Sequence, residues 1–120
     1  MITWIFGNTG AGKTTLAKGM EKDVWLDGDN MRGIWTDLGF SKEDRCEQNV
    51  RVARLAKMLD GQGLDVVVSV ICPYADLRKV VKKITNCKFI YVEGGKEGED
   101  YPFEKPDIYN VSSEVGLNTT

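Results

Sequence analysis

Gly7-Asn8-Thr9-Gly10-Ala11-Gly12-Lys13-Thr14 fits GxxxxGK[ST], the pattern of a loop that wraps phosphate. Its glycines let backbone N–H groups turn toward phosphate oxygens at a helix start, where the peptide dipoles favour an anion. Lys13 is expected to reach the β- and γ-phosphates of a triphosphate, the Thr14 hydroxyl to coordinate Mg²⁺, and Thr15 to meet the α-phosphate. The expected binding loop is therefore Gly7, Asn8, Thr9, Gly10, Ala11, Gly12, Lys13, Thr14 and Thr15, with ATP and Mg²⁺ as cofactors and Thr14 as the metal contact. Four fixed positions arise by chance in a chain of this length in roughly one case in a few hundred, so a plain helix cap is the weaker reading.

A second group is Asp27-Gly28-Asp29-Asn30. A calcium loop would need glycine at its sixth position, where Arg32 stands, which argues against calcium. The four residues read either as a solvated polar turn or as carboxylates beyond the carboxyl end of a strand adjacent to the phosphate loop. In the second reading Asp29 faces an acceptor substrate. The chain contains no histidine, which removes Ser-His and Cys-His nucleophilic catalysis. Cys46, Cys72 and Cys87 are widely spaced without a CxxC pair, which argues against a zinc site or a disulfide framework.

The elements that must position these groups follow from the apolar pattern. Thr3 to Phe6 reads as a strand, Lys13 to about Lys22 as a helix and Val24 to Leu26 as a second strand. A short amphipathic segment with Met31, Ile34, Trp35 and Leu38 follows the polar turn. Ser41, with Asp44 three positions on, starts a helix that carries Arg45, Arg51 and Arg54 and stops at Gly61 and Gly63. Leu64 to Ile71 is almost wholly apolar, as a strand buried on both faces requires. Leu77, Val80, Val81 and Ile84 form an inward stripe opposite Lys79, Lys82 and Lys83, ahead of a strand from Lys88 to Val92. Glu93 to Asp107 loses periodicity and reads as a long loop, and Ile108 to Val111 as a last strand. The alternation predicts an α/β three-layer sandwich with a parallel sheet of about five strands, the fold of P-loop NTPases.

A length of 120 residues with 42% apolar content predicts one domain, residues 1-120. Sixteen Lys+Arg against 18 Asp+Glu leave a net charge of -2, so no basic field gathers nucleic acid or anionic lipid. The first residues are too short an apolar run for a signal segment, and no run approaches membrane-spanning length. The expectation is a cytoplasmic protein with a small-molecule nucleotide substrate and no nucleic-acid or membrane partner, with a homodimer allowed.

Leu26-Asp27-Gly28-Asp29-Asn30-Met31-Arg32, Asp37-Leu38-Gly39-Phe40-Ser41, Asp44-Arg45 with Glu47, and Ile71-Cys72-Pro73-Tyr74 follow one another in an order and spacing that resembles adenylylsulfate kinase. That family's pattern runs LDGDNxR, DLGFS, DRxEN and ISPY or ISPF, and the resemblance covers roughly residues 2 to 92. It implies transfer of the ATP γ-phosphoryl to the 3′-hydroxyl of adenosine 5′-phosphosulfate (APS), giving the sulfate donor PAPS. Carried over by position, Lys13 and Asp29 are catalytic, with Asp29 orienting or deprotonating the hydroxyl. Arg32 and Arg45 hold the phosphosulfate, Phe40 stacks on the adenine, and Gln48, Ile71 and Cys72 line the acceptor site.

Three departures from the pattern stand out. Gln48 replaces the asparagine of DRxEN, Cys72 replaces a serine, and the long arginine-rich lid after Val92 is essentially missing. Any cation from that side must be Lys96 or Lys105, and any closing aromatic Tyr101 or Phe103. Two further readings therefore stay open: a nucleotide-binding module with lost or weak turnover, and a kinase for a different nucleotide-like acceptor.

Overall fold

The computed structural model describes residues 1–106 and the strand at 118–119. Four strands, β1 (Ile2–Phe6), β2 (Val24–Asp27), β3 (Val66–Val70) and β4 (Lys88–Tyr91), and the two-residue β5 (Asn118–Thr119) form one sheet. Its order is β2-β3-β1-β4-β5, and every described pairing is parallel. The helices are α1 (Lys13–Gly19), α2 (Gly28–Ile34), α3 (Lys42–Gly61) and α4 (Ala75–Thr85). The strand expected at Ile108 to Val111 lies outside the described residues.

Alternation along β1 and β3 sorts their side chains between two layers. Ile2, Trp4, Phe6, Val66, Val68 and Val70 pack with Val52, Ala53 and Ala56 of α3 and with Leu77 and Val81 of α4. Ile5 and Val67 point the other way, onto Ala17 of α1 and Ile90. A strand buried on both faces needs an unbroken apolar run, which accounts for the valines of β3. Among the described residues no helix is long and apolar enough to cross a membrane.

The structure corrects four sequence-based expectations. The segment from Gly28 is helical rather than a polar turn, and Asp27 is its N-cap. β3 lies between β2 and β1, so the carboxylates do not follow a strand adjacent to the phosphate-loop strand. Helix α1 ends at Gly19, short of Lys22. In α4, Val80 is 44% exposed and Arg78 is fully buried.

Arg78 is buried because its guanidinium serves the chain at the strand ends. Nη1 donates to the Cys72 carbonyl at 2.9 Å and Nη2 to the Glu104 carbonyl at 2.8 Å. The cation lies 4.8 Å from the centre of the Phe6 ring and 5.7 Å from that of Phe103. Glu104 returns two contacts, its N–H to the Pro73 carbonyl and its carboxylate to the Ala75 N–H at the start of α4. Arg78→Met keeps the stem but withdraws the donors from both carbonyls. The expected cost is about 2–4 kcal/mol, read by calorimetry as a Tm lower by roughly 10 °C. A Tm within about 2 °C of the parent would contradict this role.

Candidate active site

The phosphate loop leaves β1 between β3 and β4, where the connections from β1 and β3 diverge and open parallel sheets leave a crevice. Gly12 precedes α1 with φ 103°, a conformation that favours glycine and ends the loop with the helix amides facing outward. Lys13 folds back so that Nζ donates to the Asn8 carbonyl at 2.8 Å. Burial lowers its pKa, and the nearby charges of Asp29 and Asp27 oppose that shift. The ammonium is thus partly desolvated and faces two carboxylates, a setting that an incoming phosphate would rebalance.

Asp27 is held by the Ser69 hydroxyl at 2.9 Å, which in turn accepts from Trp25 Nε1 at 2.8 Å. Two positions on, Asp29 sits in the first turn of α2 and is exposed. Thr14, Asp27 and Asp29 line one cleft with Lys13, bringing hard oxygen donors beside the phosphate loop. That donor chemistry fits Mg²⁺, which takes one or two protein oxygens and completes its shell with phosphate and water.

The cleft holds about 160 Å³ and runs from Thr9, Gly10 and Lys13 past Asp29 to Arg32, Arg45, Gln48, Asn49, Ile71 and Cys72. Helix α3 supplies its far wall because Ser41 caps it, the Oγ accepting from the Asp44 N–H at 3.1 Å. Arg45 and Arg32 converge on the loop before α3: Arg45 Nε donates to the Phe40 carbonyl and Arg32 Nη1 to the Gly39 carbonyl. Burial lowers the Arg32 pKa, Arg45 adds to that shift, and Asp29 and Asp44 oppose it. Two guanidinium groups held this close repel each other, and an anion between them relieves the repulsion.

Gln48 and Asn49 are both buried, with 5% and 6% of their surface exposed. Gln48 Nε2 donates to the Gly28 carbonyl and Asn49 Nδ2 to the Arg45 carbonyl, while Gln48 Oε1 and Asn49 Oδ1 have no donor among the described residues. Buried amide oxygens without donors are costly unless a bound molecule supplies them. The longer glutamine arm thus pins the start of α2 and leaves its oxygen at the cleft.

Phe40 is 69% exposed, so it is not a core aromatic. It lines the wider mouth of the same depression, about 660 Å³, with Asn8, Lys42, Tyr74 and Tyr101. The Arg32 guanidinium lies 4.3 Å from its ring centre. Of the two aromatics expected to close the pocket, Tyr101 is at this mouth. Phe103 instead stacks on Phe6 and Tyr91. Neither lysine of this segment lines the cleft or its mouth. Lys105 pairs with Glu97 at 3.2 Å, and Lys96 Nζ lies 5.3 Å from the centre of the Tyr101 ring.

Gly7, Ala11, Gly12 and Thr15 belong to the loop and its helix without lining either cavity. Cys72 is fully buried, and burial pushes its thiol far up from the usual range. Sequence reasoning missed Lys42, Asn49, Ser69 and Tyr74 as lining residues. Lys42, Asn49 and Tyr74 had a local signal, adjoining Ser41, Gln48 and Pro73 of the quoted motifs, whereas Ser69 had none.

The strand order, the loop after β1 and the cleft beside it define a P-loop NTPase fold with room for a second substrate next to the phosphates. The family model for adenylylsulphate kinase matches residues 1–98. The chain belongs to the adenylylsulphate kinase family of phosphotransferases. Adenylyl-sulfate kinase of Clostridium acetobutylicum is 35% identical over 152 residues, which include 98% of this chain and 76% of that protein. The probable adenylyl-sulfate kinase of Bacillus subtilis is 36% identical, with 97% of this chain and 60% of that protein covered. Among solved structures, the Mycobacterium tuberculosis APS kinase CysC in complex with AMPPNP and APS superposes with a TM-score of 0.68 at 30% identity. That match covers 76% of this chain and 61% of the other.

Proposed function

We propose that this chain transfers the γ-phosphoryl group of ATP to the 3′-hydroxyl of APS, giving PAPS and ADP. The observation that carries the reading is one continuous cleft with Lys13 and Thr14 at one end, Arg32 and Arg45 at the other, and Asp29 between them. The complex of the Mycobacterium tuberculosis relative with AMPPNP and APS supports the same pair of ligands here.

In this reading the 3′-oxygen bonds to the γ-phosphorus as the bond to the β,γ-bridging oxygen breaks, and ADP leaves. Asp29 orients the hydroxyl and takes its proton. Lys13 and the loop amides hold the β- and γ-phosphates, which matters more than a strong base in a loose transition state. Arg32 and Arg45 hold the phosphosulfate, Phe40 offers its exposed face to the adenine, and the remaining amide oxygens of Gln48 and Asn49 accept from the nucleoside. Thr14 is the protein contact for Mg²⁺, which when bound neutralises phosphate charge.

Incubation of the purified chain with MgATP and APS, followed by mass spectrometry of the nucleotides, is expected to show PAPS and ADP in equal amounts. ADP without PAPS would overturn transfer to APS and leave hydrolysis. A phosphorylated product from another nucleotide, with none from APS, would reassign the acceptor.

A further inference from the structure

Residues 93–101 fold over the outer side of the phosphate loop without forming a helix or strand. Asn8, only 6% exposed, ties them down. Its Nδ2 donates to the Lys96 carbonyl and, at 3.2 Å, to the Tyr101 carbonyl, while its Oδ1 accepts from the Thr9 N–H. The Lys96 N–H returns a bond to the Thr9 carbonyl at 2.8 Å. Gly95 lies so close that a Cβ there would stand 2.5 Å from the Thr9 oxygen, and its φ of 85° already favours glycine. Beyond Tyr101, the bonds of Arg78 and Pro73 to Glu104 anchor the other end.

Between these ties Glu99, Asp100 and Tyr101 form one rim of the wide mouth, with Phe40, Lys42 and Arg45 among the residues around it. We infer that Asn8 is a positioning residue for the acceptor: from within the phosphate loop its amide holds this strap, and so sets how tightly the mouth closes on the acceptor. The identity of that acceptor rests on the kinase reading above. A side chain in the nucleotide loop thereby governs recognition of the second substrate.

Steady-state kinetics and amide hydrogen exchange on Asn8→Ala, Tyr101→Ala and the double variant test this. Asn8→Ala is expected to raise the KM for APS about tenfold; because Asn8 belongs to the phosphate loop and its Oδ1 accepts from the Thr9 N–H, the KM for MgATP rises too, but by a several-fold smaller factor. Exchange of the Lys96 amide is expected to accelerate at least about tenfold. In the Tyr101→Ala background the Asn8 change is expected to add less than about twofold, because both act through one strap. Asn8→Leu, which refills the volume but donates nothing, must behave like Asn8→Ala.

A KM effect confined to MgATP, multiplying effects in the double variant, or unchanged Lys96 exchange would overturn the inference with the kinase reading intact. Absence of PAPS from the parent protein would instead remove the proposed acceptor. The exchange measurement, which needs no acceptor, would then decide whether Asn8 holds the strap.

Discussion

Lys13→Ala is expected to lower PAPS formation by about 10³-fold or more and to remove measurable MgATP binding. The ammonium sits inside the phosphate loop, bonded to the Asn8 carbonyl and facing Asp27 and Asp29. In the proposed reaction its loss takes away the principal cation for the transferring group and leaves two carboxylates to repel the triphosphate. Lys13→Arg is expected to rescue little, since a planar guanidinium cannot follow the compact path of the ammonium into the loop. Titration with MgATP alongside product analysis separates the two effects. Binding within about threefold of the parent would refute the phosphate role of Lys13.

Asp29→Asn is expected to lower transfer by about 10²- to 10⁴-fold while MgATP binding survives. The amide can still accept the acceptor's hydroxyl hydrogen but cannot take the proton. The substitution also has a signed effect on pH dependence. Asp29 raises the Lys13 pKa against the lowering by burial, so its neutralisation lets that pKa fall further. Lys13 then loses its proton at a lower pH, and the alkaline limit of MgATP binding in the D29N variant moves down with it. A wild-type turnover number in D29N would exclude Asp29 as the base, and an unshifted alkaline limit would show that it does not act on Lys13.

The local motifs were readable because their geometry is local. GxxxxGKT dictates its own turn, since glycine conformations and a following helix need no distant partner. Ser41 and Asp44 announced the start of α3, and the valines of β3 announced a strand covered on both sides. Where sequence reasoning erred, a distant group outweighed the local preference. Asp27 to Asn30 has the composition of a turn, yet Gln48 of α3 bonds the Gly28 carbonyl at the start of α2. Val80 fits an apolar stripe at helical spacing, but the strand ends need the donors of Arg78, and the helix turns that side inward.

The sequence by itself determined the phosphate loop, the alternating α/β order, the family and the set of charged residues around Asp29. Each depends on residue type at short, definite spacing. Only the tertiary structure decided that β3 separates β2 from β1, that Tyr101 rather than Phe103 lines the wide mouth of the cleft, and that Asn8 ties residues 93–101 to the loop. Those outcomes depend on contacts between residues dozens of positions apart, where strand order and the competition for buried hydrogen-bond partners, not local propensity, set the result.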